Sequence, residues 1–228
     1  MPRLPEVGSA AVTDPFVKNV YQNKFGDREF DVAPGNEWGI KGNWETTMAN
    51  SEPALASAVK SVAFMYDGEN FALDLPLREL ALLRVGWLRE SKFVFSQRCK
   101  IGRKVGVTQE QIDAIPGWPV SDLFSPAERA VLAYTDALVL LDARVPDLIF
   151  NTVREFLGPR KLVELTHVVG IYIGFANISK AFKVEFDDRD DPIEEVPADP
   201  NFVPYVPTMD LSDAEKAEAE AKAERQKA

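Results

Sequence analysis

The stretch KFVFSQRCKIGRKVG, residues 92–106, holds the side chain with the most pointed chemistry in this sequence. At 3.6 residues per turn, Val94, Arg98, Ile101 and Val105 fall within about 60° of one another, while Lys100, Arg103 and Lys104 take the opposite side. Arg98 therefore stands inside an apolar stripe. A guanidinium cannot shed its proton to escape burial, so it must be paired. Two kinds of partner are open: an internal carboxylate, with Glu79, Glu90 and Glu164 available, or the carboxylate or oxyanion of a ligand, gripped through two parallel hydrogen bonds. Phe93 and Phe95 flank Arg98 and suit either an aromatic or apolar ligand body or ordinary core packing.

His167 is the single histidine of the chain. It shares a helical stripe with Gly170, Gly174, Asn177 and Ala181, small residues that either let another helix approach or leave a cavity. If a pocket lies between this helix and the one carrying Arg98, His167 is the first candidate for general acid or base, since its unperturbed pKa suits proton transfer near neutrality. Tyr172 and Lys180 lie on the other side of that helix, and Tyr134 could donate a hydrogen bond into a pocket. Arg78, Glu79, Arg84 and Glu90 form a charged set on one helix, where such spacings are usually solvated, and Glu79 is its catalytic candidate. Cys99 points about 100° away from Arg98 and reads as structural or incidental. No metal-ligand cluster, glycine-rich phosphate loop or nucleophile elbow is visible, so no metal or cofactor is expected.

These side chains must be positioned by helices. SEPALASAVKSVAFMY offers Ser51 as an N-cap and apolar spacing at Leu55, Val59, Val62 and Met65. LPLRELALLRVGWLRE is a second helix, and residues 92–105 a third, ended by Gly106. Thr108, Glu110 and Gln111 suggest a short capped helix that stops at Pro116. Ser125, Pro126 and Glu128 form a capping box opening the helix of Val131, Tyr134, Leu138 and Leu141. VPDLIFNTVREFLG is a short helix closed by Gly158, and PRKLVELTHVVGIYIGFANISKAFKV is the long apolar one. No strand pattern competes. The sequence thus divides into an irregular N-terminal arm studded with aromatics (1–48), an all-α body (49–186), and a Pro-rich acidic segment with a charged tail (187–228).

Composition allows a core of ordinary size, with 46% hydrophobic and 10% aromatic residues. The net charge of -10 and the lack of a basic stripe argue against nucleic acid as a partner. A lone cysteine and the opening MPRLPEVGSA, without the charged-then-apolar order of a secretory signal, make a cytoplasmic protein the expectation. The apolar region around residues 168–178 is interrupted by Gly170, Gly174 and Asn177 and is shorter than the roughly 20 residues that span a bilayer, so no membrane partner is expected.

The order LPLRELALLRVGWL, GVTQEQIDAI, FSPAERAVLAYTDAL, LVELTHVVGIYIGFANISKAF resembles the carboxymuconolactone decarboxylase family, which shares its fold with the AhpD-like proteins, over roughly residues 50–186. The resemblance implies an oligomeric all-α fold, as a dimer, trimer or hexamer. It also implies a cofactor-independent lyase, a decarboxylase or related carbon–carbon cleaving enzyme, acting on an aromatic or lactone-type carboxylic acid in a catabolic pathway. The family usually carries either a Tyr-Glu-Trp run and a later histidine, or a Cys-x-x-Cys pair and a histidine. Here the glutamate position is Val94, the histidine position Arg98, and the cysteine positions Ser91 and Val94. Disulfide-cycling peroxidase chemistry needs a reactive thiolate and a resolving thiol, so it is excluded at those positions. On this reading Arg98 holds the substrate anion, Phe93, Phe95 and Tyr134 contact the substrate, and His167 or a tyrosine moves the proton, with Glu79 a further catalytic candidate. The alternative is a non-catalytic member that binds an acid or scaffolds an assembly, with Arg98 paired to an internal glutamate.

Overall fold

The structure, a computed structural model, describes residues 2–26 and 43–184, and among these it is all-α, without strands. The expected acidic segment and tail, 187–228, lie outside the described residues. The described chain divides into two units, one running through Tyr66 and the other starting at Asp67.

In the first unit the arm expected to be irregular contains α1 (Pro15–Phe25) and α2 (Asn43–Met48), while α3 (Glu52–Ala63) is the helix expected after Ser51. Asp14 caps α1 by accepting hydrogen bonds from the backbone N–H groups of Phe16 and Val17 at 2.9 and 3.1 Å, with Pro15 in the first turn. Its buried side chains, Phe16, Val17, Val20, Tyr21 and Phe25, do follow a helical stripe. Only three turns long and set among Pro, Gly and Asn, that stripe is too short to stand out as a period. Ser51 precedes α3 as expected, but its side chain makes no cap bond. Instead Glu52 at the start of α3 accepts from Thr13 N and Thr13 Oγ1 at 3.1 and 2.9 Å and from Asp14 N, tying the entry of α1 to that of α3.

In the second unit α4 (Leu75–Leu88) is the central helix, packed by α5 (Lys92–Lys104), α7 (Pro126–Leu140) and α8 (Asp147–Phe182). Every residue from Arg78 to Gly86 is buried, so the charged set read as solvated is mostly interior: Arg78 is 2%, Glu79 0% and Arg84 6% exposed. A helix surrounded on three sides has no solvent face for its charges to occupy. Glu90, in the turn after α4, is the member that stays at the surface, 4.0 Å from Lys180.

The turn between α4 and α5 is tight, and Ser91 caps α5 through Val94 N at 3.3 Å. The two helices meet so closely at Gly86 that a Cβ there would stand 2.8 and 2.9 Å from the backbone N and Cα of Phe95. After Gly106, at φ 101°, the expected short capped helix is α6 (Gln109–Ala114), and its cap is a Thr108–Gln111 capping box. A 3-10 segment, Ile115–Val120, follows. Arg84 grips Asp136 of α7 with two hydrogen bonds, at 2.6 and 3.0 Å, and its remaining nitrogen donates to the Ile115 and Pro116 carbonyls at 2.9 and 3.2 Å. Trp118 Nε1 donates to the same Asp136 at 3.1 Å. This node locks the 3-10 segment onto α4 and α7, which makes Arg84 structural. The Ser125–Glu128 capping box starts α7 as read from the sequence. Gly158, at φ 68° and ψ 172°, breaks α8 where the shorter helix was expected to close, with Pro159 following.

Candidate functional site

α4, α5 and α8 bring four side chains together in the interior of the second unit. Glu79 of α4 is fully buried and accepts from Arg78 Nε at 2.7 Å. Arg98 of α5 reaches the same carboxylate from its Nη1, at 3.3 Å to Oε2 and 3.5 Å to Oε1. The Arg98 guanidinium also lies over the ring of Tyr172 on α8, 4.9 Å from its centroid, and Phe175 stands 5.4 Å beyond, centroid to centroid. Arg78 is covered in turn by the Phe71 ring at 5.7 Å. One carboxylate is therefore shared by two guanidiniums, one bonded closely and one loosely.

Among the three glutamates open to Arg98, the fold selects Glu79. Glu90 is at the surface, and Glu164 accepts instead from the backbone N–H groups of Ala72 and Leu73 at 2.9 and 2.7 Å. Arg98 and Glu79 are thus brought together. The others of the expected set are not, and each has a physical reason.

His167 lies on the exposed side of α8 with Gly170, Asn177 and Ala181. The buried side of α8 carries Leu165, Val168, Val169, Tyr172, Ala176 and Ser179. Tyr172 stands about 140° from His167 around the helix, so the aromatic ring placed on the far side by the sequence reading is the one against Arg98. Phe95 is a core side chain, buried with Leu83, Cys99 and Trp118 and tilted against Trp87 at 6.2 Å. Phe93 is half-buried. Tyr134 directs its hydroxyl to Thr166 at 2.8 Å, and since Thr166 itself donates to the Leu162 carbonyl at 2.7 Å, Tyr134 is the donor of that pair. Cys99 is fully buried in the core. Lys100, expected on the solvent side of α5, is 3% exposed, because α5 is covered on more than its apolar stripe. Sequence reasoning set Arg78 within a solvated group and ranked Tyr172 low. The adjacency of Arg78 to Glu79 and the position of Tyr172 among apolar neighbours were the available signals.

The fold defined by these helices is that of the AhpD-like proteins. A protein of unknown function from Agrobacterium tumefaciens, ATU0492, connected by its description with antioxidant defence and AhpD, superposes with a TM-score of 0.54 at 22% identity. That alignment covers 60% of this chain and 93% of the other. The debrominase Bmp8 superposes with a TM-score of 0.59 at 18% identity, over 78% of this chain and 88% of its own. The same debrominase in complex with 2,3,4-tribromopyrrole gives 0.57. In sequence, the uncharacterized protein YdfG of Bacillus subtilis is 27% identical over 129 residues, 54% of this chain and 88% of that protein. Residues 53–137 match the carboxymuconolactone decarboxylase family model, a likeness in sequence that accompanies the AhpD-like fold.

Proposed function

We propose that this chain is an acid-binding member of the carboxymuconolactone decarboxylase/AhpD-like family, taking a small carboxylic acid at Arg98. The supporting observation is the asymmetry around Glu79, which Arg78 holds at 2.7 Å while Arg98 stands at 3.3 Å. An incoming carboxylate can draw Arg98 away and leave Glu79 still paired, so the exchange strands no buried charge. The newly bound acid then receives the bidentate grip that arginine offers best, at low competing water. Tyr172 and Phe175 supply apolar surface next to the guanidinium, which favours a flat or aromatic acid body. The exposed apolar side chains Leu148, Phe156 and Val163 on α8 support self-association of the chain.

A second reading is favoured by the family match. In it the chain is a cofactor-independent carbon–carbon lyase, a decarboxylase of an aromatic or lactone-type acid. Arg98 would stabilise the charge that develops as the bond breaks, and Glu79, uncovered when Arg98 turns to the substrate, would be placed to carry the proton.

One experiment tests both. The purified chain and Arg98→Met are heated with a panel of aromatic and lactone carboxylic acids, and the stabilising acids are then incubated with the chain while carbon dioxide release is followed. Stabilisation by an acid that is abolished in Arg98→Met, without product, supports the binding member. Product formation lost in the same variant supports the lyase. An absence of any Arg98-dependent shift across the panel defeats the acid site in both forms.

A further inference from the structure

Residues 67–74, the connection into α4, are held in an unusual way. Their first half is exposed and bonded to itself: Asp67 Oδ1 accepts from Glu69 N and Asn70 N at 3.2 and 3.1 Å, and Asp67 Oδ2 from Asn70 Nδ2 at 2.8 Å. Their second half is fastened to one turn of α8, about 90 residues away in the chain. Glu164 Oε2 accepts from both Ala72 N and Leu73 N, at 2.9 and 2.7 Å. Arg160 steadies that carboxylate at 3.2 Å and donates to the Asn70 carbonyl, while Lys161 pairs with Asp74 at 2.7 Å. All of these fastenings sit in the first two turns after the Gly158–Pro159 break. What the segment lays down between them is Phe71, whose ring covers Arg78, the close partner of Glu79.

We propose that residues 67–74 form a strap closing the Arg78–Glu79–Arg98 cluster, and that Glu164 is its latch. The strap's first half, residues 67–70, is stiffened by the Asp67 bonds. Its hydrogen bonds and ion pairs to α8 are gathered at a single place, near the surface, where Arg160 is 65% and Asp74 55% exposed at the side chain, while the Leu73 side chain is buried. Two backbone N–H groups on one carboxylate oxygen are the strongest of those ties, because the acceptor is charged. Release of Glu164 therefore frees Ala72 and Leu73 together and lifts Phe71 from Arg78. The strap controls access to the site of the acid-binding reading and so deepens it.

The test uses the full chain and the arginine reagent phenylglyoxal, with labelling at each arginine followed by peptide mass spectrometry, so its outcome does not depend on any acid being bound. In Glu164→Ala the labelling of Arg78, and behind it Arg98, should accelerate at least tenfold. Glu164→Gln, which keeps an acceptor without the charge, should fall between. Arg84, locked by Asp136 on the other side of α4, should label at the same slow rate in all three proteins. Unchanged labelling of Arg78 and Arg98, or acceleration of Arg84 in step with them, overturns the strap. Should Glu164→Ala fail to fold, hydrogen exchange of the wild type decides: Ala72 and Leu73 amides exchanging well before that of Leu83 support local opening, and exchange of all three together overturns it.

Discussion

Deleting members of the buried cluster one at a time should give a fixed order of costs. At an effective dielectric of about 20, the attraction of Glu79 for Arg78 across 2.7 Å is about 6 kcal/mol, and for Arg98 across 3.3 Å about 5 kcal/mol, before desolvation. The difference, about 1 kcal/mol, favours the closer pair. What separates the variants is the charge left behind. Glu79→Leu removes the carboxylate that two buried guanidiniums share, and should cost about 3–5 kcal/mol. Arg98→Met leaves Glu79 with its closer partner and fills the arginine stem with a flexible apolar chain, so it should cost only about 1–2 kcal/mol, including the lost stacking over Tyr172. Arg78→Met should lie between, because Glu79 then depends on the looser contact. Urea unfolding followed by tryptophan fluorescence, compared at constant m, measures all three. If Arg98→Met costs as much as Glu79→Leu, Arg98 is a fixed structural member and the exchange behind the acid-binding proposal is refuted.

Two further outcomes are expected. Gly86→Ala should destabilise by about 2 kcal/mol despite the better helix propensity of alanine, since its Cβ would press at 2.8 Å on backbone atoms of Phe95 that cannot step aside. Gly102→Ala, whose Cβ would meet Val107 at an ordinary 3.5 Å, serves as the comparison, and equal melting temperatures for the two variants would contradict the close α4–α5 contact. For Glu52, burial works toward the neutral form, but the hydrogen bonds from Asp14 N, Thr13 N and the Thr13 hydroxyl outweigh it and hold the carboxyl below its ordinary value of 4.5. A folded-state pKa that is depressed contributes stability above the unfolded value and loses it as pH falls through the folded one. Acid unfolding of the first unit should therefore begin below about pH 4.5, and Glu52→Gln should flatten that loss; an identical acid limb in the variant would place the sensitivity elsewhere.

Local chemistry made much of this fold legible. The Ser125–Glu128 and Thr108–Gln111 boxes set helix starts because their side chains satisfy backbone N–H groups within the same turn, and Gly106 and Gly158 end helices because each needs a positive φ. Arg98 was recognisable as an interior charge from its stripe alone, since helical geometry places Val94, Ile101 and Val105 on its side whatever surrounds them. α1 was missed because three turns among Pro, Gly and Asn carry too few repeats to establish a period.

Which partner the interior charge meets was a tertiary decision. Glu79, Glu90 and Glu164 were equivalent candidates until α4 became the central helix and buried Glu79, the turn after it left Glu90 in solvent, and residues 67–74 claimed Glu164. The rotation of α8 was equally undetermined, because Val163, Ile171, Ile173 and Ile178 make that helix apolar nearly all round and leave no single face to point inward. Contact with α4, α5 and α7 turned Tyr172 toward Arg98 and His167 away from it. Sequence periodicity determines which residues of one helix share a side; only the packing of several helices determines what that side faces, because the answer depends on side chains of other helices.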